Sequence, residues 1–200
     1  ATGKKLAAFG LTEANAGSDA IGMMKTTAKL EGDHYVLNGT KQWITNGENA
    51  EIYTVLAVTN PARGARGVSA FIVEKGFPGF KFGAKERKMG IRGSATYELF
   101  FENCIVPKEN LLGEINKGFK IAMSTLDGGR IGIAAQALGL AQGAINETIK
   151  YTTQRIQFGK RISQFQNTQF QLADMQTKTD AGRLLIYRAA AAKQEAEPYS

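Results

Sequence analysis

Phe9-Gly10-Leu11-Thr12-Glu13-Ala14-Asn15-Ala16-Gly17-Ser18-Asp19 is the stretch around which this chain is organised. An apolar run there gives way within a few residues to hydroxyls, small side chains and a Gly-Ser-Asp, which reads as a strand opening into a polar cradle. Glycine and alanine let a ligand approach the backbone, and Thr12 and Ser18 add hydroxyls to the free N–H groups, a combination suited to a flavin's carbonyl edge or to phosphates. On composition alone, a strand followed by an ordinary turn fits the same residues.

Outward from that stretch the chain has two textures. Residues 1–113 hold 15 of the 23 glycines, and runs such as Ile52-Tyr53-Thr54-Val55-Leu56-Ala57-Val58 and Val68-Ser69-Ala70-Phe71-Ile72-Val73 are short, β-branched and aromatic. Thr26 to Leu30 and Tyr35 to Leu37 flank a Glu31-Gly32-Asp33 turn and predict a hairpin. Pro61, Pro78 and Pro107 fall at breaks between runs, where a missing N–H does least harm. An antiparallel barrel or sandwich is expected over 1–113. From Gly118 to Arg155, Ala122, Leu126, Ile133, Ala137, Leu140, Ala144 and Thr148 recur at three- and four-residue steps and predict one long helix. Phe158-Gly159-Lys160-Arg161 breaks it. A second helix is expected to begin with Ser163 and Gln166 in capping-box spacing, run through Phe170, Met175, Leu184 and Leu185, and end or kink near Pro198. Gly139 and Gly143 suit close helix packing. The fold class is therefore α+β, with 1–113 as a β-domain and 114–200 as two long antiparallel helices of an incomplete bundle.

Composition narrows the function. A chain of 200 residues with 43% hydrophobic side chains has enough apolar content for a real core and nothing of a disordered composition. No apolar run reaches the about 18 residues of a membrane span, and Ala1-Thr2-Gly3-Lys4-Lys5 lacks the apolar stretch of a signal peptide, so a soluble, non-secreted protein is expected. Cys104 is the only cysteine, which excludes an intrachain disulfide, suggests a reducing compartment and suits a small apolar filler in a strand. With His34 the only histidine, a Cys/His metal site is not expected. The net charge of +7 sits mostly in residues 117–200, which carry 11 basic and 6 acidic side chains against 14 and 12 before them. Such a surface attracts polyanions, but no Lys/Arg cluster is interleaved with aromatics as in a nucleic-acid interface.

Three further patterns suggest chemistry. Trp43, the only tryptophan, and Thr45 share a face of a strand with Ile44 on the other, so one face offers a flat ring and a hydroxyl; a core aromatic beside a solvated threonine is the alternative. Asp127 and Arg130 lie one helical turn apart, and Gly128 and Gly129 between them cost roughly 1 kcal/mol each in helix propensity relative to alanine, as where room is kept for a ligand; a solvated surface pair fits too. Arg155 and Gln166 flank the break between the helices, where an arginine also serves as a C-terminal cap.

In order along the chain, the 9–19 stretch, Lys41-Gln42-Trp43-Ile44-Thr45-Asn46-Gly47, Met89-Gly90-Ile91-Arg92-Gly93-Ser94, Val106-Pro107-Lys108-Glu109-Asn110, Leu126-Asp127-Gly128-Gly129-Arg130 and Arg155-Ile156-Gln157-Phe158-Gly159-Lys160 resemble the motifs of the acyl-CoA dehydrogenase family, most nearly its short-chain, butyryl-CoA type. The resemblance covers nearly all 200 residues. It implies a middle β-domain and the first two helices of a C-terminal bundle in an FAD enzyme that desaturates acyl-CoA thioesters between Cα and Cβ. It assigns Phe9, Gly10, Leu11, Thr12, Gly17, Ser18, Trp43, Ile44, Thr45, Arg155, Phe158 and Gln166 to the flavin, Arg155 and Gln166 across a subunit boundary with Phe158 packing nearby, where a core position fits equally, and Ser18, Asp127, Gly128, Gly129 and Arg130 to the acyl-CoA. The resemblance implies a base beyond Ser200, where most of the family place their glutamate; the minority that place it on the first helix have it at the position of Gly129. Electron-transfer flavoprotein as acceptor, a homo-oligomer built as a dimer of dimers, and a bacterial cytoplasmic or mitochondrial matrix location are further implications. An enoyl-CoA reductase running in reverse and a non-catalytic flavin- or CoA-binding fragment are the alternatives.

Overall fold

A computed structural model describes residues 2–199, and the chain divides into two compact units between Met123 and Ser124. In the first, β1 (Ala7–Gly10), β2 (Thr27–Glu31), β3 (His34–Thr45), β4 (Ile52–Val58), β5 (Val68–Glu74), β6 (Phe80–Lys85), β7 (Thr96–Pro107) and β8 (Leu111–Leu112) form one sheet. Its order is β6-β7-β3-β2-β4-β5-β8, with β1 beside β4. The expected hairpin is β2–β3, with Glu31 opposite His34. The sheet is mixed rather than wholly antiparallel: β1 runs parallel to β4 from Ala7–Ile52 to Gly10–Val55, and β2 meets β4 in parallel at Thr27–Val58. Among the described residues β6 and β8 remain open edges, so hydrogen bonding does not close the sheet into a barrel.

Both β1 and β2 border the same edge of β4, and residues 11–26 leave the sheet between them. The cradle stretch is that excursion. Beneath it the core gathers Tyr35, Leu37, Ile44, Tyr53, Val55, Phe71, Val73, Phe80, Leu99, Phe101, Cys104 and Val106, with Phe80 stacked on Phe101 at 5.0 Å. Cys104 is fully enclosed, and burial pushes its thiol up to about 12, so it is an inert filler.

Two irregularities shape β3. Between Leu37 and Gly39 its partner strand advances from Cys104 to Phe101, so the extra residue lies on β7; Asn103 takes φ 50°, and Asn38 fills the gap by accepting the Asn103 N–H at 2.8 Å. Gly39, at φ 146°, is required there, since a Cβ would stand 2.6 Å from Thr26 Cα. Between Lys41 and Ile44, β7 advances only from Leu99 to Tyr97, so this time β3 carries the extra residue, at Gln42–Trp43.

The helices are α1 (Gly118–Gln154) and α2 (Gln166–Gln194), joined by a two-stranded ribbon of β9 (Ile156–Gln157) and β10 (Lys160–Arg161). α1 ends one residue before the expected Arg155. The stripe that α1 encloses differs from the one read in the sequence. Ala122, Ile145 and Thr152 are buried, whereas Ile133 and Leu140 are 64% and 69% exposed. A helix this rich in alanine and glycine offers several equivalent stripes, and periodicity does not choose among them. The start of α2 also differs: a 3-10 turn covers Ile162–Gln164, the reciprocal cap is Gln164 Oε1 accepting the Arg161 N–H at 2.9 Å, and Phe165 precedes the helix without a side-chain cap. α2 ends at Gln194, before Pro198. A Cβ at Gly139 or Gly143 would meet nothing within 4 Å among the described residues, so neither marks a close helix contact here.

Candidate functional site

Three chain segments meet where β1 gives way to the cradle. Gln42 N–H donates to Thr12 O at 2.9 Å, which replaces the ladder bond lost at the β3 bulge. Lys41 points inward with none of its side chain exposed, and its ammonium donates to Glu13 Oε1 at 2.8 Å and to Leu11 O at 3.1 Å. Glu13 in turn accepts the backbone N–H of Lys25 at 2.7 Å and of Thr26 at 3.0 Å. Burial alone would raise the Glu13 carboxyl, but the Lys41 charge and these donors outweigh it and hold the group below its usual range. On Lys41 burial dominates and lowers the ammonium to about 8, opposed by Glu13.

Over this buried network the candidate residues form a surface. Phe9 and Thr12 are half-buried, Gly10 and Leu11 are enclosed, and Gly17 and Ser18 are exposed. A Glu13–Ala16 pair of backbone hydrogen bonds closes the turn between them, at 3.2 and 3.0 Å, and Asp19 accepts the Gly22 N–H at 3.0 Å. Trp43 is 53% exposed and sits at φ 57°, Ile44 is 3% exposed, and Thr45 is exposed. Trp43 and Thr45 therefore both face outward as expected, but a bulge rather than regular alternation puts the indole there. A bulky residue at left-handed φ costs of order 1–3 kcal/mol and persists only where its surroundings dictate it. The turn after Thr45 is fixed from below, where the buried Tyr53 hydroxyl lies 2.7 Å from both Gly47 O and Ala50 O and shares its proton between them.

In the helical unit the remaining candidates occupy two stations. Asp127 and Arg130 pair on α1 at 2.5 Å, with Gly128 and Gly129 between them. They border a groove of about 240 Å³ with Ile131, Ala134, Leu185 and Tyr199. A Cβ on Gly128 would meet Lys193 Nζ at 2.5 Å, whereas one on Gly129 would meet nothing within 4 Å. Arg155 follows the last turn, its N–H on Tyr151 O at 2.9 Å, and Phe158 stands at the tip of the β9–β10 ribbon, 93% exposed and at φ 50°. Gln166 is exposed at the first turn of α2. From Arg130 to Arg155 the rise of α1 is about 38 Å at 1.5 Å per residue, so the two stations are distinct places. Sequence reading missed Lys41 and Glu13. Both stand in motif stretches with other polar residues, and nothing in the sequence marks them as a buried pair.

A mixed β-sheet unit followed by two long helices is an architecture shared with a known family. Residues 8–104 match the acyl-CoA dehydrogenase middle domain and residues 116–199 the acyl-CoA dehydrogenase C-terminal domain, and the chain belongs to the acyl-CoA dehydrogenase family. It is 54% identical over 200 residues to the short-chain-specific acyl-CoA dehydrogenase of Clostridium acetobutylicum, covering 100% of this chain and 52% of that protein. Butyryl-CoA dehydrogenase from Megasphaera elsdenii has the same fold, with a TM-score of 0.94 and 55% identity over 98% of this chain and 51% of its own. A chain in a structure of the electron transferring flavoprotein of Acidaminococcus fermentans is similar too, with a TM-score of 0.94 and 58% identity over 98% and 52%. The chain thus spans about half the length of the proteins it matches.

Proposed function

We propose that this chain supplies the flavin-facing wall and part of the acyl-CoA wall of an FAD-dependent dehydrogenase that converts a short-chain acyl-CoA, butyryl-CoA-like, to its trans-2-enoyl-CoA and passes electrons to electron-transfer flavoprotein. The single observation that carries this reading is the half-exposed indole of Trp43, held at a left-handed bulge beside Thr45 and the Thr12 cradle. A flat ring and an outward hydroxyl fit the isoalloxazine, and the exposed Gly17-Ser18 stretch leaves backbone open to a charged or carbonyl-bearing edge. The 54% identity to a short-chain-specific enzyme supports the substrate class.

FAD, when bound, supplies the two-electron acceptor. The chain's residues would hold and orient it: the Trp43 indole would pack beside the ring system, the Thr45 hydroxyl would offer it a hydrogen bond, and Phe9 to Thr12 with Gly17 and Ser18 would line the approach. Arg130 presents a cation at the acyl-CoA station while Asp127 is engaged by it at 2.5 Å, so Asp127 is no free base. Gly129 has no side chain to offer, and the carboxylate that takes the α-proton belongs to the length that the relatives have and this chain does not span. Arg155, just past the end of α1 and about 38 Å along its axis from Arg130, serves with Phe158 of the ribbon and Gln166 of α2 the flavin of a neighbouring subunit, in a homo-oligomer built as a dimer of dimers.

The test is a titration with FAD, following Trp43 emission and retained flavin absorbance. Saturable quenching with yellow protein after desalting is expected, and bleaching by butyryl-CoA in the protein carrying its base completes the assignment. Protein that neither quenches nor retains flavin would refute the reading.

A further inference from the structure

We infer that the buried Lys41–Glu13 pair is a positioning device that locks the cradle onto the β3 bulge and thereby sets the orientation of Trp43, an inference that rests on the flavin reading above. Four observations converge. Lys41 and Gln42 immediately precede Trp43, and Lys41 Nζ, with no exposure, binds Leu11 O at 3.1 Å and Glu13 Oε1 at 2.8 Å. Gln42 N–H binds Thr12 O at 2.9 Å, so three consecutive cradle residues are tied to two consecutive strand residues. Glu13 passes the restraint on to a third segment through the N–H groups of Lys25 and Thr26. The bulge that these bonds surround is where the extra residue of β3 lies and where Trp43 takes φ 57°.

Stability alone does not require such a pair. Two desolvated charges break even at best against well-packed apolar side chains of similar volume, whereas an ion pair fixes direction and register, which apolar contacts do not. An apolar filling would hold the sheet together while letting the cradle slide along β3. The bulge would then relax toward regular ladder geometry, and a one-residue slip turns a side chain to the opposite face of the strand. In wild type the orientation of the only indole is set from inside the protein by charges that touch neither substrate nor cofactor. Lys41 and Glu13 are thus positioning residues.

The paired variant Glu13→Leu/Lys41→Met separates positioning from stability, because neither charge is left without its partner. Its thermal midpoint should stay within a few degrees of wild type. In flavin-free protein the near-UV circular dichroism band of Trp43 should lose at least half its amplitude, and its acrylamide quenching constant should change by twofold or more. The dissociation constant for FAD should rise at least tenfold. If the paired variant does not unfold cooperatively, Glu13→Gln replaces it for the dichroism, quenching and FAD readouts alone: it keeps the volume and one oxygen for the Thr26 N–H, but it leaves the Lys41 ammonium without its counter-charge and sets an amide NH2 against the Lys25 N–H, so its thermal midpoint should fall. A folded variant with unchanged Trp43 dichroism, quenching and FAD affinity would overturn the proposal and leave the pair a purely structural one. The dichroism and quenching measurements need no flavin, so failure of wild type to bind FAD would overturn the functional reading while these two still decide the positioning role.

Discussion

Replacing Thr45 by valine separates the flavin reading from any role in folding. Thr45 is exposed at the end of β3, paired through its backbone with Thr96, and its hydroxyl makes no hydrogen bond among the described residues. Valine has nearly the same shape and an equal liking for strands, so stability should change by less than about 0.5 kcal/mol. A hydrogen bond from that hydroxyl to the N5 edge of a flavin contributes about 0.5–1.5 kcal/mol. For a two-electron couple, about 30 mV corresponds to 1.4 kcal/mol, so the midpoint potential should move by about 10–30 mV as the hydroxyl is lost. Reduction in the complete protein should slow about 2- to 12-fold by the same energy. Equilibrium reduction against a reference dye measures the potential, and denaturant unfolding measures the stability. An unshifted potential and unchanged flavin spectrum in Thr45→Val, with FAD bound, would remove Thr45 from the flavin site.

Other outcomes follow from the same geometry. Arg155→Ala should lower FAD retention and oligomer stability together, as read by desalting and sedimentation; a clean monomer that keeps its flavin would contradict the cross-subunit role. Gly39→Ala should destabilise the β-unit by more than about 3 kcal/mol, because its Cβ meets Thr26 Cα at 2.6 Å and its φ is 146°, and a melting shift of only one or two degrees would refute that. Lys41→Met alone should cost about 3–5 kcal/mol by leaving the Glu13 carboxylate buried and unpaired, far more than the paired variant above. The pair also dictates a pH signature, taken as the difference between wild type and that paired variant. With Glu13 held below its ordinary 4.5, its contribution is present above that value and is lost as pH falls through the folded value. With Lys41 lowered from 10.5 to about 8, the unfolded chain binds the extra proton between those values, so stability rises with pH across that window. A pH-independent difference would show that the two groups do not titrate as a buried pair.

Much of the fold was legible in residues. The β-branched and aromatic runs at Ile52–Val58 and Val68–Val73 became β4 and β5, the Glu31-Gly32-Asp33 turn joined β2 to β3, and the three- and four-residue recurrence placed α1 to within one residue. The parallel pairing of β1 with β4 was hidden, because a single short strand says nothing about which neighbour it meets or in which direction. Hidden too was the bulge at Gln42–Trp43. Neither residue is the glycine that usually announces one, and the exposure of Trp43, Ile44 and Thr45 alternates as an unbroken strand would. The Lys41–Glu13 pair spans 28 positions and joins two residue types that ordinarily lie on the surface, so neither spacing nor composition points to it.

The strained positions nevertheless share a pattern that connects sequence to function. Among the described residues seven non-glycine positions take positive φ, and three of them are asparagines, which tolerate it. Apart from Ala196, the rest are Trp43, Ile91 and Phe158, each large, each more than half exposed, and each inside a motif stretch that carries the family resemblance. A large apolar side chain on a left-handed backbone gains nothing from facing water, since its ring or chain is not buried and its conformation costs of order 1–3 kcal/mol. Such an arrangement is stable only because the chain on either side enforces it, as the Lys41–Glu13 and Gln42–Thr12 bonds fix the two residues before Trp43 and as Gly159, at φ 74°, follows Phe158 in the ribbon turn. On the proposed function, the interactions that offset this cost would come from a flat cofactor against Trp43 and a neighbouring subunit against Phe158. Occupancy should therefore stabilise the chain by mass action, and FAD at 100 times its dissociation constant should add about 2.7 kcal/mol. Wild type should gain that increment, and Trp43→Ala should lose most of it while keeping its unliganded stability within about 2 kcal/mol; equal gains in both would show that the strained indole is not where the cofactor binds.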